Sequence, residues 1–319
     1  MKQYFIEPLN EISYAYSDNT KLSRELLSNR ILTDGKFQDL NVFDDITVKI
    51  ALRHPTKKDF SFEQIDRLIY NAIGSLYDNG IFQFTTEMIA RMIYQDVHHR
   101  TTAKVIQMIQ SRLDAMMELN IRLNIEEEYI ARESTPKDAR LQNKQYNKFF
   151  PIKPIEVIFS ANSKSGNGYH LYNSPILWEY AKYTKQITKC RFGLFQLQNR
   201  HITPENLLIL GYVYNQIELI KNPKNHRYSS KISLYRIENY TEKGLFPAIG
   251  INPFHYKNWN DKHRKICKLI EDFLQVLKES KDKEIRIKDY HYYKKKDSEG
   301  YYIDIHRKNR KKSNKKKEY

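Results

Sequence analysis

The chain has 319 residues, 40% of them hydrophobic and 29% charged, with a formal net charge of +16. That length and apolar content can supply cores for two domains of ordinary size and exclude a globally disordered chain. The positive balance favours polyanionic partners, nucleic acid ahead of an anionic membrane face. No run approaches the roughly 18 apolar residues a membrane span needs, and the opening "MKQYFIEPLNEISYAYS" lacks the apolar core of a signal peptide. The expectation is therefore a cytoplasmic protein without a membrane partner. Only Cys190 and Cys267 are present, which excludes a disulfide framework and a thiolate metal set. Both are read as buried small hydrophobes.

In chain order, residues 1–58 form a segment of unassigned role, with a helical stretch at "KLSRELLSNRIL" and short strands in "VFDDITVKIALRH". From Ser61 the pattern sharpens. "SFEQIDRLIYNAIGSLYDNG" sets Phe62, Ile65, Leu68, Ile69, Ala72, Ile73 and Leu76 on one helical face and stops at Asn-Gly. "FTTEMIARMIYQ" predicts a short helix capped by Thr85 or Thr86, and "RTTAKVIQMIQSRLDAMMELN" a longer one capped by Thr101 or Thr102. The period then falls to two in "IRLNIEEEYIAR", which predicts a strand ending in the solvated acids Glu126, Glu127 and Glu128. A polar stretch from Glu133 to Lys148 leads to the strand "PIKPIEVIFSA", a Gly-rich turn "NSKSGNG" and a second strand "YHLYN". Helix, short helix, long helix and hairpin is the order of a winged helix-turn-helix.

"SPILWEYAKYTKQI" reads as a connecting helix with a Ser cap and Pro175 in its first turn. The order then recurs. "TPENLLILGYVYNQIELIKN" predicts a helix with Leu207, Leu208, Tyr212, Asn215, Gln216 and Leu219 inward, and "SSKISLYRIENYTEKGLF" a short second helix. "NWNDKHRKICKLIEDFLQVLKES" predicts a long one with Ile266, Leu269, Ile270, Phe273 and Leu277 inside. "EIRIKDYHYYKKKDSEGYYIDIHRK" closes the second unit as strand, turn and strand, the turn at Lys296 to Gly300. The expected fold class is α+β, mainly helical: winged-helix domains over 59–190 and 191–306, then a basic disordered tail over 307–319. The repeat is one of architecture, with no residue-level identity between the halves.

Searches for catalytic chemistry find no phosphate loop, since "SKSGNGYH" lacks the required lysine. They find no pair of histidines spaced for a relaxase, no recombinase set and no metal cluster. The 24 tyrosines single out no nucleophile. The expectation is a non-enzyme with no cofactor and no metal. A nicking, relaxase-type initiator remains as an alternative, as does a winged-helix transcriptional regulator.

In a helix-turn-helix the N-terminal part of the recognition helix enters the major groove, so its outward polar residues carry the function. In the first unit the outward set is His98, His99, Arg100, Thr101, Thr102, Lys104, Gln107 and Arg112. Arg100, Thr102, Lys104 and Gln107 are the candidate contacts, with a solvated face in a dimerisation domain as the competing reading. In the second unit Lys257, Asn258, Asn260, Lys262, His263, Arg264, Lys265 and Lys268 crowd the helix start. The hairpin adds Lys294, Lys295 and Lys296. The tail adds Arg307, Lys308, Arg310, Lys311 and Lys312, and its last thirteen residues carry +7 of the net charge.

"LIYNAIGSLYDNG" with "FTTEMIARMIY", the connecting "SPILWEYAKYTKQI", "LLILGYVYNQI" and the basic helix and hairpin to His306 span about Phe62 to Lys308. Together they resemble the replication initiators of iteron-type plasmids, proteins of two winged-helix domains that bind direct repeats at an origin. The resemblance implies double-stranded DNA as partner, read mainly by the second domain at Lys257 to Lys268. It also implies a first domain supporting dimerisation, a homodimer that represses its own synthesis, and recruitment of host replication proteins such as a helicase or helicase loader. The Glu133-to-Lys148 insertion and the basic tail depart from that pattern.

Overall fold

The structure, a computed structural model, describes residues 4–6, 9, 12–27, 34–43, 46–56, 60–159, 165–197, 202–222, 230–238 and 241–305. Residues 160–164, where the expected turn "NSKSGNG" begins, His306 and the basic tail, with Arg307, Lys308, Arg310, Lys311 and Lys312, lie outside them. The fold is α+β, with ten α-helices and four sheets among the described residues. Two compact units, Met1–Gly211 and Tyr212–Tyr319, divide the chain.

The first unit runs β1 (Tyr4–Ile6), β2 (Tyr14–Asp18), α1 (Lys21–Leu26), β3 (Gln38–Phe43), β4 (Ile46–Arg53), α2 (Gln64–Asp78), β5 (Gln83–Phe84), α3 (Thr86–Tyr94) and α4 (Ala103–Glu118). It continues with β6 (Asn120–Asn124), α5 (Glu126–Ala131), α6 (Ala139–Gln142), β7 (Asn147–Lys148), β8 (Ile152–Phe159), β9 (Ser165–Leu171), α7 (Ile176–Tyr183) and β10 (Ile187–Arg191). The three central helices start where their polar residues demand. Glu63 and Asp66 form a reciprocal capping box at α2, and the Thr85 and Thr102 hydroxyls accept from the Met88 and Val105 N–H groups. The apolar stripes of α2, α3 and α4 are buried, including Ile69, Ile73, Leu76, Ile89, Ile109, Leu113 and Met116.

The described residues of the segment 1–58 are built into this unit. β1 lies parallel on β8, β2 pairs with β10, and β3 and β4 join β6 and β7 in a four-stranded sheet of order β3-β4-β6-β7. The buried Asp18 carboxylate fastens β2 to α2 by accepting from Tyr70 Oη at 2.9 Å and from the Ser23 hydroxyl.

Several sequence expectations are corrected here. β6 buries Ile121 and Leu123 as its alternation predicts, but it pairs with β4 and β7 and stands outside the hairpin that follows α4. That hairpin is β8–β9, whose outer partner β5 gives a sheet of order β1-β8-β9-β5. "SGNGYHL" is strand rather than turn. The acidic triplet opens the helix α5, and Glu128 is buried there, accepting from Tyr180 Oη at 2.6 Å and Arg132 Nε at 2.8 Å. The helix α7 ends at Tyr183 with Lys185 in the left-handed region (φ 58°), so Ile187 onward is strand; Pro175, not a serine, occupies its N-cap position.

The division between units falls within α8 (Pro204–Lys221). This helix buries Leu207, Leu208, Ile209, Leu210, Val213, Tyr214 and Ile217, while Tyr212, Gln216 and Leu219 are only half-buried, so the expected inner face is rotated and widened. After it come β11 (Lys231–Glu238), β12 (Thr241–Lys243), α9 (Leu245–Ile249), α10 (Trp259–Glu279), β13 (Asp289–Lys295) and β14 (Ser298–Asp304). The expected short helix over "SSKISLYRIENYTEKGLF" is therefore two strands, because Ile232 and Leu234 alternate into the core, and the short helix is α9. Ile285 and Ile287 precede the hairpin, whose turn is Lys296-Asp297 alone. The sheet order is β12-β11-β14-β13.

Both units thus place helix, strand, short helix, long helix and hairpin in the same order, with the first strand paired to the last strand of the hairpin: β5 on β9, β11 on β14. The repeat also reaches single residues. A Cβ on Gly168 of β9 would stand 2.5 Å from Val157 and 3.0 Å from the Phe84 carbonyl oxygen of β5. One on Gly300 of β14 would stand 2.1 Å from the Ile232 carbonyl oxygen of β11. Only glycine lets β14 pass this close to β11, and at Gly168 it makes room for the Val157 side chain of β8, with the β5 carbonyl the next neighbour. The next residue is a buried tyrosine in each case. Tyr169 Oη donates to Asp114 on α4 at 3.1 Å, and Tyr301 Oη to Glu271 on α10 at 3.3 Å. Burial raises both phenol pKa values, so both remain donors. The expectation of no residue-level identity is corrected: a Gly-Tyr pair ties last strand, first strand and long helix together in each unit.

Candidate nucleic-acid interface

The stretch Lys257–Lys268 holds five Lys/Arg against one acid, Asp261. Ile266, Leu269, Ile270 and Phe273 bury the inner stripe of α10, so 3.6-residue periodicity throws Lys257, Asn258, Asn260, Arg264, Lys265 and Lys268 outward, where all are exposed. Two of these make ion pairs along the helix: Arg264 Nη2 to Asp261 at 3.0 Å and Lys268 Nζ to Asp272 at 2.9 Å. Such exposed pairs are weak and yield readily to a phosphate. Lys262 is half-buried and lies over the Tyr256 ring at 5.3 Å.

His263 points the other way. Its ring packs edge-on against Trp259 and Phe246, and its Nε2 meets Glu299 Oε1 of β14 at 2.8 Å. Contacts with the Cys267 sulfur and the Glu299 carboxylate push the imidazole pKa up to about 9. Burial pushes Glu299 upward, but hydrogen bonds from His263 and Tyr292 outweigh it and leave its pKa lowered. The pair is therefore imidazolium and carboxylate at neutral pH. Cys267, expected buried, is half-buried beside this ring, whereas Cys190 is buried.

The pair has a geometric consequence. Glu299 is cross-strand from Lys294 and one residue from Ser298, which faces Lys295 at the turn. The second turn of α10 is thereby tied to the hairpin close to its turn; Lys294 Nζ lies 3.9 Å from the same Glu299 carboxylate, and Lys294, Lys295 and Lys296 are all exposed. Behind the tip the hairpin is braced by its rings: Tyr292 Oη donates to Glu299 at 2.9 Å, and Tyr290 Oη reaches the Glu271 carbonyl at 3.3 Å.

Among the described residues, the corresponding helix α4 of the first unit carries no such collection. Thr102 is committed to capping α4 at its Oγ1. Arg112 is drawn inward onto Asp66, Glu63 and the Ser61 carbonyl. Arg100, Lys104 and Gln107 are exposed, but the helix beyond them presents an open groove of about 500 Å³ lined by Gln107, Gln110, Ser111 and Ala115 with the acids Asp114 and Glu118. The periodicity of α4 revealed which residues face outward, while the inward turn of Arg112 depended on Asp66, 46 residues earlier.

No helix among the described residues is long and apolar enough to cross a membrane. No family model and no curated protein matches the chain. Two crystal structures of RctB domains 2 and 3 align with most of it. One covers 88% of this chain and 96% of its own at 11% identity with a TM-score of 0.36. The other, a selenomethionine derivative, covers 95% of each at 12% identity with a TM-score of 0.38.

Proposed function

We propose that this protein is a sequence-specific, double-stranded DNA-binding replication initiator without catalytic activity of its own, built from two winged-helix domains. The single observation carrying this reading is the basic start of α10 joined through the His263–Glu299 pair to a hairpin that bears three exposed lysines at its turn. A helix N-terminus that enters a major groove needs donors for base edges and cations for flanking phosphates, and Asn258, Asn260, Arg264 and Lys265 supply both. A lysine-tipped hairpin at its side suits a second run of backbone contacts. The pairing of first strand with last in both units supports winged helices, and the face of α4, where amides stand with Asp114 and Glu118, supports a first unit devoted to dimerisation and further contacts.

In this reading the protein binds origin repeats, recruits a host helicase or helicase loader, and represses its own synthesis as a dimer. A gel-shift titration against the DNA flanking its gene is expected to show one set of repeats bound far more tightly than random duplex; equal affinity for both would sink the reading. Maintenance of a reporter plasmid carrying those repeats, dependent on this protein, separates an initiator from a regulator of transcription.

A further inference from the structure

The loop that delivers the chain into α10 is fixed at both ends and leaves one large apolar side chain in water. On one side Ile251 is buried, its N–H donating to the Phe246 carbonyl at 2.8 Å. On the other, Tyr256 packs against Trp259 with ring centroids 6.0 Å apart. Between them Pro253–His255 forms a single 3-10 turn, started by Asn252, whose side-chain oxygen accepts from the Phe254 N–H at 3.0 Å. Phe254 stands at the apex and is 93% exposed; the next most exposed large hydrophobic residue among those described, Ile130, reaches 64%. A capped, proline-bearing turn loses little entropy on binding, so the ring is pre-positioned for a partner that buries it.

The surroundings select that partner. No acidic residue lies between Glu242 and Asp261, and Lys257, Arg264 and Lys265 follow on the exposed side. An apolar protein surface would have to desolvate those cations without return. Duplex DNA would neutralise them, and its major groove offers one apolar feature at a base edge, the thymine C5-methyl group.

We propose that Phe254 is a specificity-determining residue that packs on a thymine methyl at the edge of the site entered by α10. This rests on the reading of α10 as the DNA-entering helix. The test uses the full chain and its tightest-binding duplex, with thymines replaced one at a time by deoxyuridine, which keeps the base pair and removes only the methyl. Fluorescence anisotropy is expected to show one position at which the replacement weakens wild-type binding about three- to tenfold, the worth of one buried methyl. Phe254→Ala should weaken binding to the thymine duplex at least as much and be indifferent to the replacement. Its exposure predicts an unchanged melting temperature. If Phe254→Ala binds as tightly as wild type, or stays equally sensitive to deoxyuridine, the proposal falls while the DNA-reading role of α10 stands. If it changes only self-association in sedimentation, the ring serves a protein partner and the proposal also falls. A wild type without duplex preference overturns both.

Discussion

The long helices α4 and α10 occupy the same place in two copies of one scaffold, yet they present opposite surfaces. Each follows a short helix, each buries one apolar stripe, and each receives a tyrosine hydroxyl from the last strand of its hairpin. α4 turns Arg112 inward and shows amides, Asp114 and Glu118. α10 turns His263 inward and shows Arg264, Lys265 and Lys268. The scaffold is set by glycine, tyrosine and buried aliphatics, and the outer charge varies independently of it. Repetition of a fold therefore does not imply repetition of a binding surface.

The largest expected effect tests whether the scaffold is shared. Gly300→Ala would drive a Cβ to 2.1 Å from the Ile232 carbonyl oxygen, and Gly168→Ala one to 2.5 Å from the Val157 side chain. Overpacking costs typically about 1–3 kcal/mol and more where backbone must move. Denaturant melts should show Gly300→Ala as the worse of the two, near or above about 3 kcal/mol, because a carbonyl in a ladder yields less than a valine rotamer. Two substitutions without cost would mean that the Gly-Tyr pairs are coincidental.

The next test addresses the difference between the helices. Arg264→Ala with Lys265→Ala should weaken binding to the specific duplex by about 2–4 kcal/mol, at about 1–3 kcal/mol for a base contact plus a lost phosphate contact. The corresponding first-unit pair, Arg100→Ala with Lys104→Ala, should cost about 1 kcal/mol or less. Equal losses would make the two surfaces functional equals and break the comparison.

A third test concerns the tie between α10 and its hairpin. His263→Ala should destabilise the second unit by about 1–2 kcal/mol near pH 6, in the range for a hydrogen bond to a charged group in a partly exposed site. The sign follows from the raised pKa. The folded protein holds the proton more tightly than the unfolded chain, so the stabilisation is complete below the ordinary value of 6.5 and fades as pH rises through about 9. The gap between the thermal melts of wild type and variant should narrow by about pH 10 to the residual loss of ring packing on Trp259 and Phe246. A difference that does not change with pH would assign His263 to packing alone.

These contrasts show which features were legible in the sequence. Helices α2, α3, α4 and α10 could be placed because each carries a one-sided apolar stripe, to which α3 and α4 add a threonine start signal and α2 an Asn-Gly stop. β11 was misread because Ile232 and Leu234 form too short an alternation to settle the period locally. The burial of Glu128 and the inward turn of His263 depend on Tyr180 and Glu299, which are 52 and 36 residues away. No local pattern encodes such pairs, and a basic neighbourhood hid the histidine among apparent DNA contacts. The "GNGYHL" and "SEGYYI" segments did hold a readable likeness, and only the strand pairing gave it meaning.

The smallest expected effect lies at the two helix starts. Thr102 is the N-cap of α4 and its hydroxyl accepts from the Val105 N–H. Asn258 holds the same position on α10, but its side chain makes no capping bond. Thr102→Ala should therefore cost about 1 kcal/mol of first-unit stability, with Thr102→Ser restoring it, and leave DNA affinity unchanged. Asn258→Ala should do the reverse: a melting temperature within error of wild type, and weaker binding wherever its amide meets an adenine edge. A side chain spent on its own helix cannot also read a base, so an uncapped asparagine at the head of the basic helix is the one of the two available for recognition. Melting and anisotropy measured on both variants would decide it, and a stability loss for Asn258→Ala with unchanged affinity would return that residue to a structural role.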